Sequence, residues 1–288
     1  MQDDGALATE IVPRHVRIRF AHASAQSVAD RAGVDVLHIK GASLDPNLNP
    51  GRAESSDADV LVRPSHVTQF MEALPAAGWN LWCDFEEGSL FEHAASLHHQ
   101  WYGMLDVHQN FPGLHRDPAG AFDLLWRSRT ERLIGGAPCA APGPTHEHLI
   151  MLLHAARSPG KDLDILNHWQ RLEPQEQAVI RDEAEALGAT VGLDVALGLV
   201  DETASPEVEL WLLSLDNSDR LQEWRARWRN TSGLHDRAAL AARALRVNRF
   251  ALGQRLGHPP SSSEIRKEWW RRAGAGLLAA ARMLPGIR

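Results

Sequence analysis

Two aspartates one residue apart, Asp57 and Asp59 in the run Ser55-Ser56-Asp57-Ala58-Asp59-Val60-Leu61-Val62, have the types and spacing best suited to chemistry in this chain. The apolar residues that follow predict a β-strand over 57–62. Successive strand side chains point to opposite faces, so Asp57 and Asp59 share one face while Ala58, Val60 and Val62 line the other. Two neighbouring anions repel each other unless a cation lies between them. Magnesium meets that need with one or two carboxylates and completes its shell with water and the phosphate oxygens of a substrate. The pair therefore reads as a candidate metal and phosphate site. The same pattern is also common at the end of a surface strand, so the neighbouring elements must decide.

Upstream, Val36-Leu37-His38-Ile39-Lys40 predicts a strand over 35–40 that runs into the turn Gly41-Ala42-Ser43 and then a loop rich in Pro and Asn. Glycine lets backbone N–H groups approach a phosphate closely. Downstream, Gly103-Met104-Leu105-Asp106-Val107-His108 predicts another strand, with a third carboxylate at Asp106 and His108 on the same face. From there His108 can orient an acid or contact an acceptor.

The order is a strand ending in Lys40-Gly41, then Arg52, the Asp57-Ala58-Asp59 strand, an amphipathic helix, and Leu105-Asp106-Val107-His108. In that order the chain resembles the nucleotidyltransferase superfamily, with its DNA polymerase beta-like fold, and within it the bacterial nucleotidyltransferase family 5, over roughly residues 34 to 170. The resemblance implies that Asp57 and Asp59 bind the metals carrying a nucleoside triphosphate, and that Asp106 completes the metal site and helps deprotonate an acceptor hydroxyl. It also implies that Lys40, Gly41, Ala42, Ser43, Arg52 and Ser56 contact the nucleotide or its phosphates, with Lys161 or Arg157 reaching in from the helical part, where a salt bridge with Asp162 or Asp164 is an equal alternative. The implied cofactor is magnesium or manganese, and the implied reaction is in-line attack on the α-phosphate with release of pyrophosphate. The superfamily usually carries Gly-Ser or Gly-Gly at the phosphate turn. Here Gly41-Ala42-Ser43 leaves that task to backbone N–H groups or to Ser43 one residue on.

Composition is that of a globular chain: 288 residues, 44% hydrophobic and 23% charged, suffice to bury a substantial core. No stretch reaches the roughly 20 apolar residues of a membrane span. Met1-Gln2-Asp3-Asp4-Gly5 lacks the basic and apolar regions of a secretory leader, so a cytoplasmic protein is expected. Cys83 and Cys139 have neither disulfide-framework nor zinc-ligand spacing. The 15 histidines raise a zinc hydrolase as a rival, but His146-Glu147-His148 lacks the spacing of helical zinc ligands. Charge is uneven, with 15 Lys and Arg against 6 Asp and Glu in residues 216–288, and 15 against 31 in residues 1–215. Trp224, Trp228, Trp269 and Trp270 lie among arginines in the basic end and could stack bases. No nucleic-acid motif accompanies them, and docking on the acidic half of the chain is the favoured reading.

The expected fold class is α/β (α+β): a small mixed β-sheet nucleotidyltransferase core flanked by helices, followed by an all-helical C-terminal domain. The boundary is placed between a catalytic domain, 1–144, and a helical domain, 145–288, with an acceptor cleft between them. A first helix over 13–32 is expected to bury Val16, Phe20, Val28 and Ala32 and to end at Gly33. A second opens at Pro64-Ser65, places Val67, Phe70, Met71 and Leu74 on one face and closes at Gly78. Further strands are expected near 79–84, 90–99 and 101–108, and Gly135-Gly136-Ala137-Pro138 reads as a loop. Helical segments follow from Thr145 onward, including 217–230 and 235–254, and a last one over 263–283 with Ser263 as its cap. The expected function is metal-dependent transfer of a nucleoside monophosphate to a small-molecule or peptide acceptor, with nucleic acid as a less favoured partner. Two alternatives stay open: a catalytically inactive binding or regulatory protein on the same fold, and a nucleotidyltransferase toxin that modifies transfer RNA.

Overall fold

The computed structural model describes residues 12–85, 93–158, 160–201, 205–215 and 260–281, with isolated positions between 216 and 259. The helices expected over 217–230 and 235–254 lie outside the described residues. Five strands, β1 (Val36–Ile39), β2 (Ala58–Val62), β3 (Asn80–Cys83), β4 (Ala94–His99) and β5 (Gly103–His108), make one mixed sheet in the order β1-β2-β5-β4-β3. The central pair, β2 and β5, runs parallel, and every other pairing in this sheet is antiparallel.

Strand alternation sends β2 and β5 side chains to two different cores. On one face, Ala58, Val60, Val62, Leu105 and Val107 pack on α1 (Arg14–Ala32) and α2 (Val67–Ala73) through Ile18, Ala25, Val28, Phe70 and Leu74. On the other, Leu37, Ile39 and Leu61 join Leu149, Leu152 and Leu153 of the buried helix α4 (Pro144–Ala155) and Trp211 further on. This second core joins the sheet to the helices that follow it. Asp59 and Asp106 belong to that second face.

The first helix differs from expectation in its seam. α1 buries Ile18, Ala21, His22, Ala25, Val28 and Ala29, whereas Phe20 is 46% exposed. Alanines let the helix lie close to the sheet, and His22 is buried beside His38, with Nδ1 to Nδ1 at 2.8 Å. A hydropathy pattern gives such a seam little weight. Gly33 ends the helix in the left-handed conformation, as expected.

The segment read as a loop at 135–138 is the turn of a hairpin, β6 (Thr130–Ile134) and β7 (Ala137–Ala141). Gly135 and Gly136 both take positive φ, 59° and 87°, which a two-residue turn matched to strand twist demands. α3 (Pro118–Arg127) precedes this hairpin, and α5 (Asp162–Ile165), α6 (Pro174–Ala186), α7 (Thr190–Ala196), α8 (Pro206–Leu215) and α9 (Ser262–Ala281) follow α4. α9 is capped by Ser261, not Ser263. The Ser261 N–H donates to Glu264 Oε2 at 2.8 Å while the Glu264 N–H reaches back to Ser261 Oγ, the reciprocal pairing of a capping box. Among the described residues no helix is long and apolar enough to cross a membrane.

The long β1–β2 connection overhangs the second face and is fastened to the helices. The Asp45 N–H donates to both Glu147 oxygens, at 3.0 and 3.2 Å, and Asn49 Nδ2 donates to Glu147 Oε1 at 2.7 Å. Asn49 Oδ1 accepts from His168 Nε2 at 3.0 Å, and Asn167 Nδ2 donates to the Pro50 carbonyl at 3.1 Å.

Candidate active site

The parallel register sets Asp59 directly opposite Asp106. With His108 two residues further along β5, their donor atoms lie within 4.8 Å of one another, and among the described residues this is the group able to hold a metal. Asp57 stands at the bend before β2, half-buried, where Ser55 Oγ donates to its Oδ1 at 2.9 Å and Ser56 Oγ at 3.3 Å. The structure thus brings Asp59, Asp106 and His108 into one cluster, with Asp57 at its rim.

Asp59 is only 3% exposed, and two groups stabilise its charged form. The Lys40 ammonium contacts Asp59 Oδ1, and His108 Nε2 donates to the same oxygen at 2.8 Å. Burial would raise this carboxyl, but Lys40 and His108 outweigh it and hold Asp59 well below the usual carboxylate range. Asp106 has a different balance. Ser96 Oγ donates to its Oδ1 at 2.6 Å, yet burial and the nearby Asp59 charge push it up to about 6. His108 is 1% exposed, and burial takes it down to about 4 despite the Asp59 bond, so the ring is neutral near pH 7. Its place is beneath Asp59, orienting an acid, rather than at the surface where an acceptor arrives.

A cavity of about 420 Å³ opens beside Asp59, lined by Lys40, Gly41, Arg52, Asp57, Asp59 and Lys161 among others, whereas Asp106 and His108 are not in its wall. The chain has three lysines, and two of them, Lys40 and Lys161, face this space. Arg52 is held there by Asp164, with Nε to Oδ1 at 3.0 Å, and Asp164 also lies 3.6 Å from His154, beyond hydrogen-bond distance. Ser56 lines the same cavity. Ala42 lines a neighbouring cavity of about 720 Å³ that shares the wall formed by Gly41 and residues 52–55. Ser43 is buried and its hydroxyl donates to the Lys40 carbonyl at 2.7 Å, so it braces the turn rather than opening onto the cavity.

The turn has an unusual backbone. Lys40 takes φ 59° and ψ −177°, a region populated almost exclusively by glycine, and Gly41 follows with φ 51°. A Cβ on Gly41 would stand 2.8 Å from Ser55 Cβ. The turn therefore packs on the serine that holds Asp57.

Two contributors, Ser96 and His93, escape a reading of sequence alone, and the fold gives Arg157 a place beside them. Ser96 reaches Asp106 because it is its register partner on β4. Arg157, past the end of α4, donates from Nη1 to His93 Nε2 at 3.2 Å, and burial lowers it to about 10 while Asp59 and Asp106 pull the other way. His93 packs its ring 5.0 Å from that of His108. Alternation within a strand marks none of these, because each depends on which segment lies alongside.

The donor set fits a divalent cation: two carboxylates gathered on one buried face, one of them raised by the other's charge, beside a neutral imidazole. The chain matches a family model described as an uncharacterised nucleotidyltransferase over residues 14–205. No curated protein matches the sequence. Among solved structures, a lincomycin-bound lincosamide antibiotic adenylyltransferase, LnuA, is similar at 16% identity over 59% of this chain and 96% of that one, TM-score 0.33. The antibiotic-resistance factor ANT(2'')-Ia is similar at 12% identity over 58% of this chain and 91% of that one, TM-score 0.41. An antigenic nucleotidyltransferase-like protein from Paracoccidioides brasiliensis is similar at 16% identity over 68% of this chain and 85% of that one, TM-score 0.32.

Proposed function

The chain belongs to this uncharacterised nucleotidyltransferase family, and from that premise we propose that it transfers a nucleoside monophosphate from a nucleoside triphosphate to a hydroxyl or phosphate of a small-molecule or peptide acceptor. The acceptor oxygen forms a bond to the α-phosphorus, the bond from that phosphorus to the bridging oxygen breaks, and pyrophosphate leaves. The observation that carries this reading is the pairing of Asp59 with Asp106 across β2 and β5, beside a cavity whose wall also holds Asp57, Lys40, Arg52 and Lys161.

Asp59 and Asp106, with Asp57 at the rim, would hold magnesium or manganese, which when bound neutralises triphosphate charge and stabilises the attacking and leaving oxygens. Asp106, opposite Asp59 in the register, is the carboxylate we assign to take the proton of an acceptor hydroxyl. Lys40, Lys161 and Arg52 supply positive charge for the phosphates, and the Gly41 turn offers backbone N–H groups. Much of the work in such transfers is positioning and charge neutralisation.

The test is pyrophosphate release from each of the four common triphosphates with magnesium or manganese, against a pooled set of metabolite, peptide and RNA acceptors. Asp59→Asn and Asp106→Asn are each expected to lower the rate by about 100-fold or more, with an unchanged circular dichroism spectrum. A full rate in either variant defeats the reading. The compensated state of Asp59 favours a second reading, a nucleotide-binding protein without turnover. Saturable nucleotide binding with no pyrophosphate release under every condition would select it.

A further inference from the structure

We propose that Lys40 is a resident counter-ion: its ammonium neutralises Asp59 in the metal-free protein, gives way when a divalent cation arrives, and then serves the nucleotide phosphates. The inference rests on the reading of this cavity as a metal and nucleotide site, and it adds an exchange of partners that this reading does not require.

Four observations support it. The Lys40 ammonium contacts Asp59 Oδ1, and Asp59 belongs to the metal-competent cluster, so lysine and cation draw on one carboxylate. The Lys40 backbone sits at φ 59° and ψ −177°, a conformation that is costly for an L residue and persists where surrounding structure imposes it. The imposing contacts are on either side: Ser43 Oγ holds the Lys40 carbonyl, and Gly41 packs against Ser55 with no room for a side chain. Lys40 also lines the cavity that would receive the triphosphate, so its amine needs only side-chain rotation to change partners.

Asp59 is buried to a depth where an unpaired carboxylate is costly. A flexible four-carbon ammonium is a reversible occupant of that position, because it carries its own charge out when a doubly charged ion enters. Lys40 favours the charged form of Asp106 as well, but there burial and the Asp59 charge outweigh it.

The experiment measures Mn²⁺ binding to the nucleotide-free full chain, from the free-ion electron paramagnetic resonance signal. Lys40→Met is expected to bind Mn²⁺ on the order of tenfold more tightly than wild type, because a positive charge in contact with the Asp59 carboxylate is gone. Lys161→Met, which removes a cavity charge not in contact with Asp59, should change that affinity by no more than about twofold, since the charge is more distant and better screened. Equal gains in the two variants, or no gain in Lys40→Met, would overturn the proposal. A second measurement uses the wild-type chain and stands even where Lys40→Met fails to fold. Acetylation of Lys40 by an amine-reactive ester, followed by mass spectrometry with Lys161 as internal reference, should rise when Mn²⁺ is added and fall again when a triphosphate follows. Lys40 labelling that is indifferent to Mn²⁺ counts against the exchange. Neither readout uses turnover, so a protein that exchanges Lys40 as described yet releases no pyrophosphate would sink the transferase reading and leave this one standing.

Discussion

Lys40 and Gly41 both take positive φ, and the consequences differ. Lys40 carries strain that aims a charge, whereas Gly41 is the residue the turn requires, since it combines a left-handed backbone with a 2.8 Å approach of its missing Cβ to Ser55. Gly41→Ala should therefore cost about 2 kcal/mol in urea unfolding, the sum of a strained φ and a displaced Ser55. It should also weaken nucleotide binding, because Ser55 holds Asp57. Wild-type stability in that variant would mean that the turn relaxes freely and that its shape is not what positions Lys40. At this scale much was visible in the chain itself: alternation within 57–62 and 103–108 separates Asp59, Asp106 and His108 from Val60 and Val107. The ion pair between Lys40 and Asp59 was not visible, because nothing local to either residue specifies the other.

Among the elements, the β1–β2 connection matters most to the site, since it walls two cavities and would be free to move without its ties to α4 and the segment after α5. Asn49 is the central tie, donating to Asp45 and Glu147 and accepting from His168. Asn49→Ala leaves a buried carboxylate and a buried imidazole short of partners, and it should lower stability by about 1–3 kcal/mol. The same variant should raise the concentration of triphosphate needed for half-saturation, measured by fluorescence of a labelled nucleotide. Unaltered stability and affinity together would show the loop to be held by other means. Helix ends and turns were readable where a residue type has a specific backbone use, as at Gly33 and Gly78. The hairpin at 130–141 was missed despite its paired glycines, since a short strand next to Pro138 resembles coil until its partner is placed. The α1 seam was missed because alanine and histidine carry little hydropathy.

Over the whole molecule, buried histidines set the response to acid. Burial takes His22, His108, His154 and His168 down to about 4, and His38 and His93 further. In the unfolded chain each titrates near its ordinary value of about 6.5. A base with a depressed folded pKa contributes stability that is present above about 6.5 and is lost as pH falls toward its folded value. Glu147, raised to about 7 by burial, and Asp106, raised to about 6, act in the opposite direction, losing stability as pH rises. His99 and His148 are lowered by burial as well, and His115 is raised by its bond to Glu207, so eight groups against three decide the sign. Stability from urea unfolding should be lower at about pH 5 than at about pH 7.5, by roughly 2 kcal/mol or more. Equal stability at the two values would show that these rings reach solvent.

The chain by itself determined the local grammar: which residues alternate into which face of a strand, where glycine and proline stop a helix, and that three acids, a lysine-glycine turn and a histidine fall in or beside predicted strands. Those properties depend on neighbours in sequence, whose geometry is set by covalent structure and side-chain size. Only the tertiary structure decided that β2 and β5 run parallel in the register that opposes Asp59 to Asp106, that Asp57 stays at the rim, and that Lys40 neutralises Asp59. Those are outcomes of burial and long-range pairing, and the charge state of a buried group depends on which distant side chains desolvate it and which hydrogen-bond to it.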